Sequence, residues 1–137
     1  MTHFGIYGVW RQAGRLVLVR KARGPYDGLL DLPGGTPERG ESTDATLRRE
    51  LWEECGVELT HVLETARFEI RVGRDSSGRP IDLTHAGLIS RVKVEGPVVL
   101  DIAAEDVRGV VLATAADEAV FSPLVSEALR QFPDLRP

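Results

Sequence analysis

The stretch from Ser42 to Cys55 constrains this chain more than any other. It contains neither Gly nor Pro, is dense in Glu, Arg, Leu and Ala, and runs directly into Gly56. Ala and straight-chain residues lose little rotamer freedom in a helix, whereas Gly readily takes the left-handed conformation that ends one. The spacing therefore predicts a helix over Ser42 to Cys55, stopped at Gly56. A helix with one apolar stripe must bury that stripe against other elements, and the flanking sequence supplies strands. Phe4 to Trp10 and Leu16 to Val19 are aromatic and β-branched runs on either side of Gln12-Ala13-Gly14, a hairpin pattern.

Farther along, Ala66, Phe68, Ile70 and Val72 alternate with Arg67, Glu69 and Arg71, the period-two signature of a half-buried strand. Gly73 to Pro80 reads as a polar turn, Ile81 to Val94 as a further strand broken by Glu95-Gly96-Pro97, and Val107 to Leu112 as a short apolar strand. Ser122 before Pro123 is an N-cap with proline at the first helical position, opening a second helix to about Phe132. Arg23 to Gly40 is crowded with Gly and Pro and is expected to be a long ordered loop around the apolar Leu29 to Leu32. Loops of that length are usually functional. Strands, loop, helix, strands, helix: the order predicts an α/β fold, a mixed β-sheet with helices packed on it. At 137 residues, with no internal repeat or linker, one domain spanning 1–137 is expected.

A composition of 42% hydrophobic and 28% charged residues is that of a soluble globular chain. The net charge of −4 is spread without a basic cluster, which argues against duplex nucleic acid as a partner, since affinity for the phosphate backbone needs grouped Lys and Arg. The single cysteine, Cys55, excludes an internal disulfide and a zinc site built on several thiolates. No apolar run long enough to span a membrane occurs, and Met1 to Trp10 lacks the pattern of a secretion signal, so a cytoplasmic location without membrane contact is expected. A homodimer is an assembly the sequence leaves open.

Residues three and four apart on a helix share a face, so Glu50, Glu53 and Glu54 project from one stripe of the first helix. Like charges at that spacing repel by about a few tenths of a kcal/mol per pair, and a cation between them removes the repulsion. Hard oxygen ligands select magnesium, manganese or calcium. A solvated acidic face would show the same spacing, but the surroundings favour a site. Gly34, Gly35 and Gly40 allow close backbone approach, Glu41 stands where the loop meets the helix, and Arg49 can hold a carboxylate in a bidentate pair.

Gly35, Glu41 and the run Arg49-Glu50-Leu51-Trp52-Glu53-Glu54-Cys55-Gly56-Val57 occupy every specified position of the Nudix box. On these residues the chain resembles the Nudix hydrolase family. The preceding Leu32-Pro33-Gly34-Gly35 is similar to the family's Pro-Gly-Gly lead-in, although Leu30 stands where many members carry tryptophan. The resemblance implies an α/β/α layered fold and Mg2+ (or Mn2+) as cofactor. The implied reaction is attack of water on phosphorus in a nucleoside diphosphate derivative. It further implies Glu50, Glu53 and Glu54 as metal ligands with the Gly35 carbonyl as an additional one, Glu50 oriented by Arg49 as base, and Glu41 completing the catalytic set by bracing the loop. Members often add an acidic ligand from outside the box, for which Glu105 and Asp106 are the candidates.

Arg20, Lys21 and Arg23 lie between the second strand and the loop, and are candidates for binding substrate phosphates. Solvated strand ends would also fit them. His3, His61 and His85 have no partner at metal-ligand spacing and read as ordinary strand residues, Cys55 as a small buried group, and Trp10, Tyr26 and Trp52, each able to stack on a base, as core packing or loop anchors. The small-molecule substrate expected is a (deoxy)nucleoside triphosphate. The short chain and the missing proline, coenzyme A and NADH signatures of other Nudix classes favour it, while nucleotide sugars, dinucleoside polyphosphates and RNA ends are alternatives because substrate classes in the family share a fold and metal site and differ in loops. A module that senses a nucleotide without cleaving it would be expected to carry a damaged box, and this box is intact.

Overall fold

The computed structural model describes residues 1–104 and 106–137. Among the described residues, nine strands and two α-helices follow one another as β1 (Thr2–Val9), β2 (Arg11–Gln12), β3 (Arg15–Lys21), β4 (Leu30–Asp31), β5 (Gly34–Gly35), α1 (Thr43–Cys55), β6 (Glu58–Arg74), β7 (Pro80–Glu95), β8 (Ala103–Ala104), β9 (Val107–Ala113) and α2 (Pro123–Gln131). A 3-10 helix, Ala115–Val120, joins β9 to α2.

The strands form two sheets where the sequence suggests one. The first has the order β5-β1-β7-β6 and is mixed, because β1 runs parallel to β7 from Thr2 opposite Thr84 to Val9 opposite Arg91. The second, β2-β3-β9-β8 with β4 also paired to β3, is antiparallel. The break at Trp10 divides the first hairpin between sheets, since β2 and β3, joined by the turn at Ala13 and Gly14, pair in the second, a division that local patterning does not encode. Both faces of β1 and β3 are covered. Along β3, Leu16 and Leu18 enter a core shared with Leu124, Val125 and Leu129 of α2, while Val17 and Val19 enter one shared with Leu47, Leu51 and Cys55 of α1. That two-sided burial is why β1 and β3 read as nearly continuous apolar runs. The layering is helix, sheets, helix, the α/β/α arrangement that the box implied.

The first helix begins and ends as its residues dictate. Ser42 Oγ accepts from the Ala45 amide at 3.1 Å, and Gly56, at φ 70°, donates its amide to the Trp52 carbonyl at 3.0 Å. Ser122 caps α2 by accepting from the Val125 amide at 3.2 Å. The strand expected at Ala66 to Val72 extends from Glu58 to Arg74. In its first half only Leu59 is buried, so no alternation marks it, and the ladder to β7 builds it instead. Asp75 Oδ1 accepts from the Ser77 and Arg79 amides and closes the turn into β7. Among the described residues no helix is long and apolar enough to cross a membrane.

Candidate active site

β5 holds the loop against α1. Gly34 pairs with Tyr7 and Gly35 with Ile6 in antiparallel register. A Cβ on Gly34 would stand 2.1 Å from the Ile6 carbonyl oxygen, and its φ of 147° disfavours any side chain, so this approach of loop to β1 requires glycine. The Gly34 amide donates to Glu54 Oε1 at 3.0 Å. Beside it, a Cβ on Gly35 would lie 3.0 Å from the Glu50 carboxyl carbon, so the bare Gly35 backbone sits directly against that carboxylate.

Arg49 organises the acidic residues. Its Nε and Nη2 donate to the two oxygens of Glu41 at 2.7 and 2.9 Å, and its Nη1 to Glu50 Oε1 at 2.6 Å and to Glu53 Oε2 at 3.3 Å. Nη2 also reaches the Thr36 carbonyl at 3.3 Å. Glu41 in turn accepts from the Glu38 amide at 2.7 Å and from Thr46 Oγ1 at 3.1 Å, tying the loop to the first turn of α1. The Arg49 hydrogen bonds, followed by that of the Glu38 amide, hold the Glu41 carboxyl down to about 2. Burial acts oppositely on its neighbours. It raises Glu50 above the usual carboxylate range against the pull of Arg49, and pushes Glu54, 6% exposed, up to about 8.

Glu50, Glu53 and Glu54 line one cavity of about 670 Å³, which also takes in Lys21, Arg23 and Asp106. Among the described residues, no three acidic, His or Cys side chains already converge tightly enough to encage an ion. The donor set is that of an open site. Magnesium keeps several waters and is bound through one or two carboxylates plus substrate phosphates, so carboxylates along one wall fit it. Glu50 and Glu53 are drawn toward Arg49 and Glu54 toward the Gly34 amide, and a buried carboxylate whose charged form is disfavoured gains most from a cation.

The residues expected from sequence divide here. Gly35, Arg49, Glu50, Glu53, Glu54, Lys21, Arg23 and Asp106 line the cavity, and Glu41 stands behind Arg49. Arg20 does not line it: Arg20 is an exposed β3 residue opposite Leu30, since alternation along a strand sends it to the other face from Lys21. Asp106 forms an ion pair with Arg23, and Glu105 lies outside the described residues. Sequence reading missed Tyr7, Asp31 and His85, which line the cavity wall together with Tyr26. His85 was expected to be an ordinary strand residue and Tyr26 an anchor. Instead His85 is buried between Tyr7 and Tyr26, whose hydroxyls each stand 2.8 Å from one ring nitrogen. The available signal was a lone His amid the apolar residues of β7. Asp31 is buried with Oδ1 accepting from Ser122 Oγ at 2.7 Å.

The NUDIX domain family model matches residues 1–131. A solved NUDIX hydrolase from Nitrosomonas europaea is similar, with a TM-score of 0.75 and 20% identity over 98% of this chain and 90% of that one. The E. coli ORF135 protein is 25% identical with a TM-score of 0.67, covering 98% of this chain and 90% of its own. The NUDIX domain of Shewanella oneidensis NrtR, complexed with ADP ribose, has a TM-score of 0.66 and 18% identity over 96% and 89%. A comparison with curated proteins found no significant match. With the family model spanning nearly the whole sequence around an intact, Arg49-braced box, the chain belongs to the NUDIX domain family and is a hydrolase of pyrophosphate bonds.

Proposed function

We propose that the chain hydrolyses (deoxy)nucleoside triphosphates to a nucleoside monophosphate and pyrophosphate, with Mg2+ or Mn2+ as cofactor. One observation carries this reading: the Glu50, Glu53 and Glu54 carboxylates and the cations Lys21 and Arg23 line the same cavity. Such a cavity suits a polyphosphate, which needs positive charge on its oxygens and a hard cation at its bridging positions. A divalent ion bound there supplies charge neutralisation and a more acidic water. Glu50, Glu53 and Glu54, with the backbone at Gly35, are the residues that would hold it, and Asp106 would add to them once released from Arg23.

The side chains have separate tasks in this reading. Arg49 takes Glu50 Oε1 at 2.6 Å and leaves Oε2 to accept the proton of an attacking water, making Glu50 the base. Glu41 holds Arg49 in the required plane through a bidentate pair. Lys21 and Arg23 position the phosphates. Arg20 has no such task, being outside the cavity.

The test is to incubate the protein with magnesium and a panel of nucleoside triphosphates, nucleotide sugars, a dinucleoside polyphosphate and a capped RNA, identifying both products each time. A monophosphate with pyrophosphate, formed fastest from a triphosphate, is the expected result. A sugar phosphate as the fastest-formed product would redirect the assignment, and no cleavage of any compound would remove it.

A further inference from the structure

Tyr7, Tyr26 and His85 line the same cavity, yet the chemistry assigned to Glu50, Glu53 and Glu54 makes no use of them. His85 is 3% exposed, with Tyr7 Oη 2.8 Å from Nε2 and Tyr26 Oη 2.8 Å from Nδ1. Burial first, then the nearby His3 and Lys21, bring the imidazole down to about 4, so it is neutral in neutral solution. A neutral imidazole has one N–H and one bare nitrogen. One tyrosine must therefore accept from His85 while the other donates to it. The accepting hydroxyl keeps its own proton for a further partner, and the donating hydroxyl keeps its lone pairs. Among the described residues neither hydroxyl has a second hydrogen-bond partner.

The setting favours an uncharged ring as that partner. The Phe68 ring stands edge-on to His85 at 5.1 Å and tilted to Tyr7 at 6.0 Å, and buried Leu83 adds to the cavity wall. Apolar side chains beside placed polar groups on this part of the wall suit a flat heterocycle, whose faces pack while its edge hydrogen-bonds. Moving the imidazole proton from one nitrogen to the other, with both hydroxyls turning, exchanges the spare donor for the spare acceptor without moving a heavy atom.

We propose that the Tyr7, His85 and Tyr26 chain is the subsite for the nucleobase of the substrate, and that it accepts bases of either hydrogen-bond polarity because the imidazole changes tautomer to suit. This rests on the reading of the cavity as a nucleotide site. It makes these three residues specificity determinants that demand a base without choosing strongly among bases.

The experiment uses free adenosine and inosine, whose ring edges carry donor and acceptor in opposite order, and ribose as the base-free control. Protein carrying 15N-labelled histidine is titrated with each while the His85 ring nitrogens are followed by NMR. Both nucleosides are expected to shift these signals, to leave the proton on different ring nitrogens, and to bind at least about fivefold more weakly to Tyr7→Phe and Tyr26→Phe proteins whose melting is first shown to be cooperative. Ribose is expected to leave the signals in place. The proposal is overturned if neither nucleoside perturbs His85, if both leave the proton on the same nitrogen, or if both Phe variants bind as tightly as the parent. Because nucleosides carry no phosphate, loss of hydrolysis with intact nucleoside binding would count against the proposed reaction alone.

Discussion

Arg49 donates to Glu41, Glu50 and Glu53 at once, and its planar fork is what allows this. A lysine carries the same charge as a point and can satisfy one of these carboxylates well. Arg49→Lys is therefore expected to lower kcat at least about tenfold, while costing about 1 kcal/mol or less in stability because the side chain is partly solvated. Steady-state kinetics beside urea unfolding would check it, and unchanged kcat would mean that Glu50 needs no orienting partner. His85 makes a different prediction. Its folded value of about 4 lies below the ordinary 6.5, so the unfolded chain binds more protons between these limits. Its contribution is present above pH 6.5 and is lost as pH falls toward 4, amounting to roughly 3 kcal/mol. The slope of stability against pH over that window should be shallower in His85→Gln, and equal slopes would refute the assignment.

At the level of elements, two adjacent glycines in β5 have opposite functions. Gly34 lets the loop pair with β1, and Gly34→Ala would drive a methyl to 2.1 Å from the Ile6 carbonyl at a φ of 147°. Loss of at least about 2 kcal/mol of stability is expected, from backbone strain and a broken pairing. The atoms nearest a Cβ on Gly35 are those of the movable Glu50 carboxylate, at 3.0 Å, and its φ is unexceptional. Gly35→Ala should thus unfold within about 1 kcal/mol of the parent and yet be impaired in turnover by at least about tenfold, on the scale of one displaced catalytic group. Thermal melts and initial rates of the pair distinguish the two tasks. If both variants melt like the parent, β5 does not depend on close approach.

For the whole molecule, the question is whether a cation stabilises the fold it binds. Glu53 is the most exposed of the three carboxylates, its side chain 50% accessible, and Arg49 Nη1 at 3.3 Å is its hydrogen-bond partner. Glu53→Gln should change metal-free stability by no more than about 0.5 kcal/mol, since surface ion pairs are worth little. Turnover should nevertheless fall at least about a hundredfold, a metal-held charge being worth several kcal/mol in the transition state. Saturating Mg2+ should raise the Tm of the parent and do so less in the variant, because a ligand stabilises the state it binds. A variant with full activity and the parental Tm shift would place the ion elsewhere.

What was legible in the sequence is what depends on near neighbours. The α1 limits follow from Ser42 and Gly56, the α2 start from Ser122 and Pro123, and the stripe of Glu50, Glu53 and Glu54 from helical periodicity. The structure keeps all of these because capping and side-chain spacing act within a turn of helix. Tertiary structure decided what depends on distant pairing. The division of strands into two sheets, the strand start at Glu58, the exclusion of Arg20 and the ion pair of Arg23 with Asp106 each require a partner far along the chain. The Tyr7, His85 and Tyr26 chain is the clearest case. Its hydrogen bonds link residues 78 and 59 positions apart, and they exist because β1 lies parallel to β7 in a register that sets Tyr7 and His85 facing one cavity. Register depends on how whole strands bury their faces together, and no local pattern around His85 carries that information.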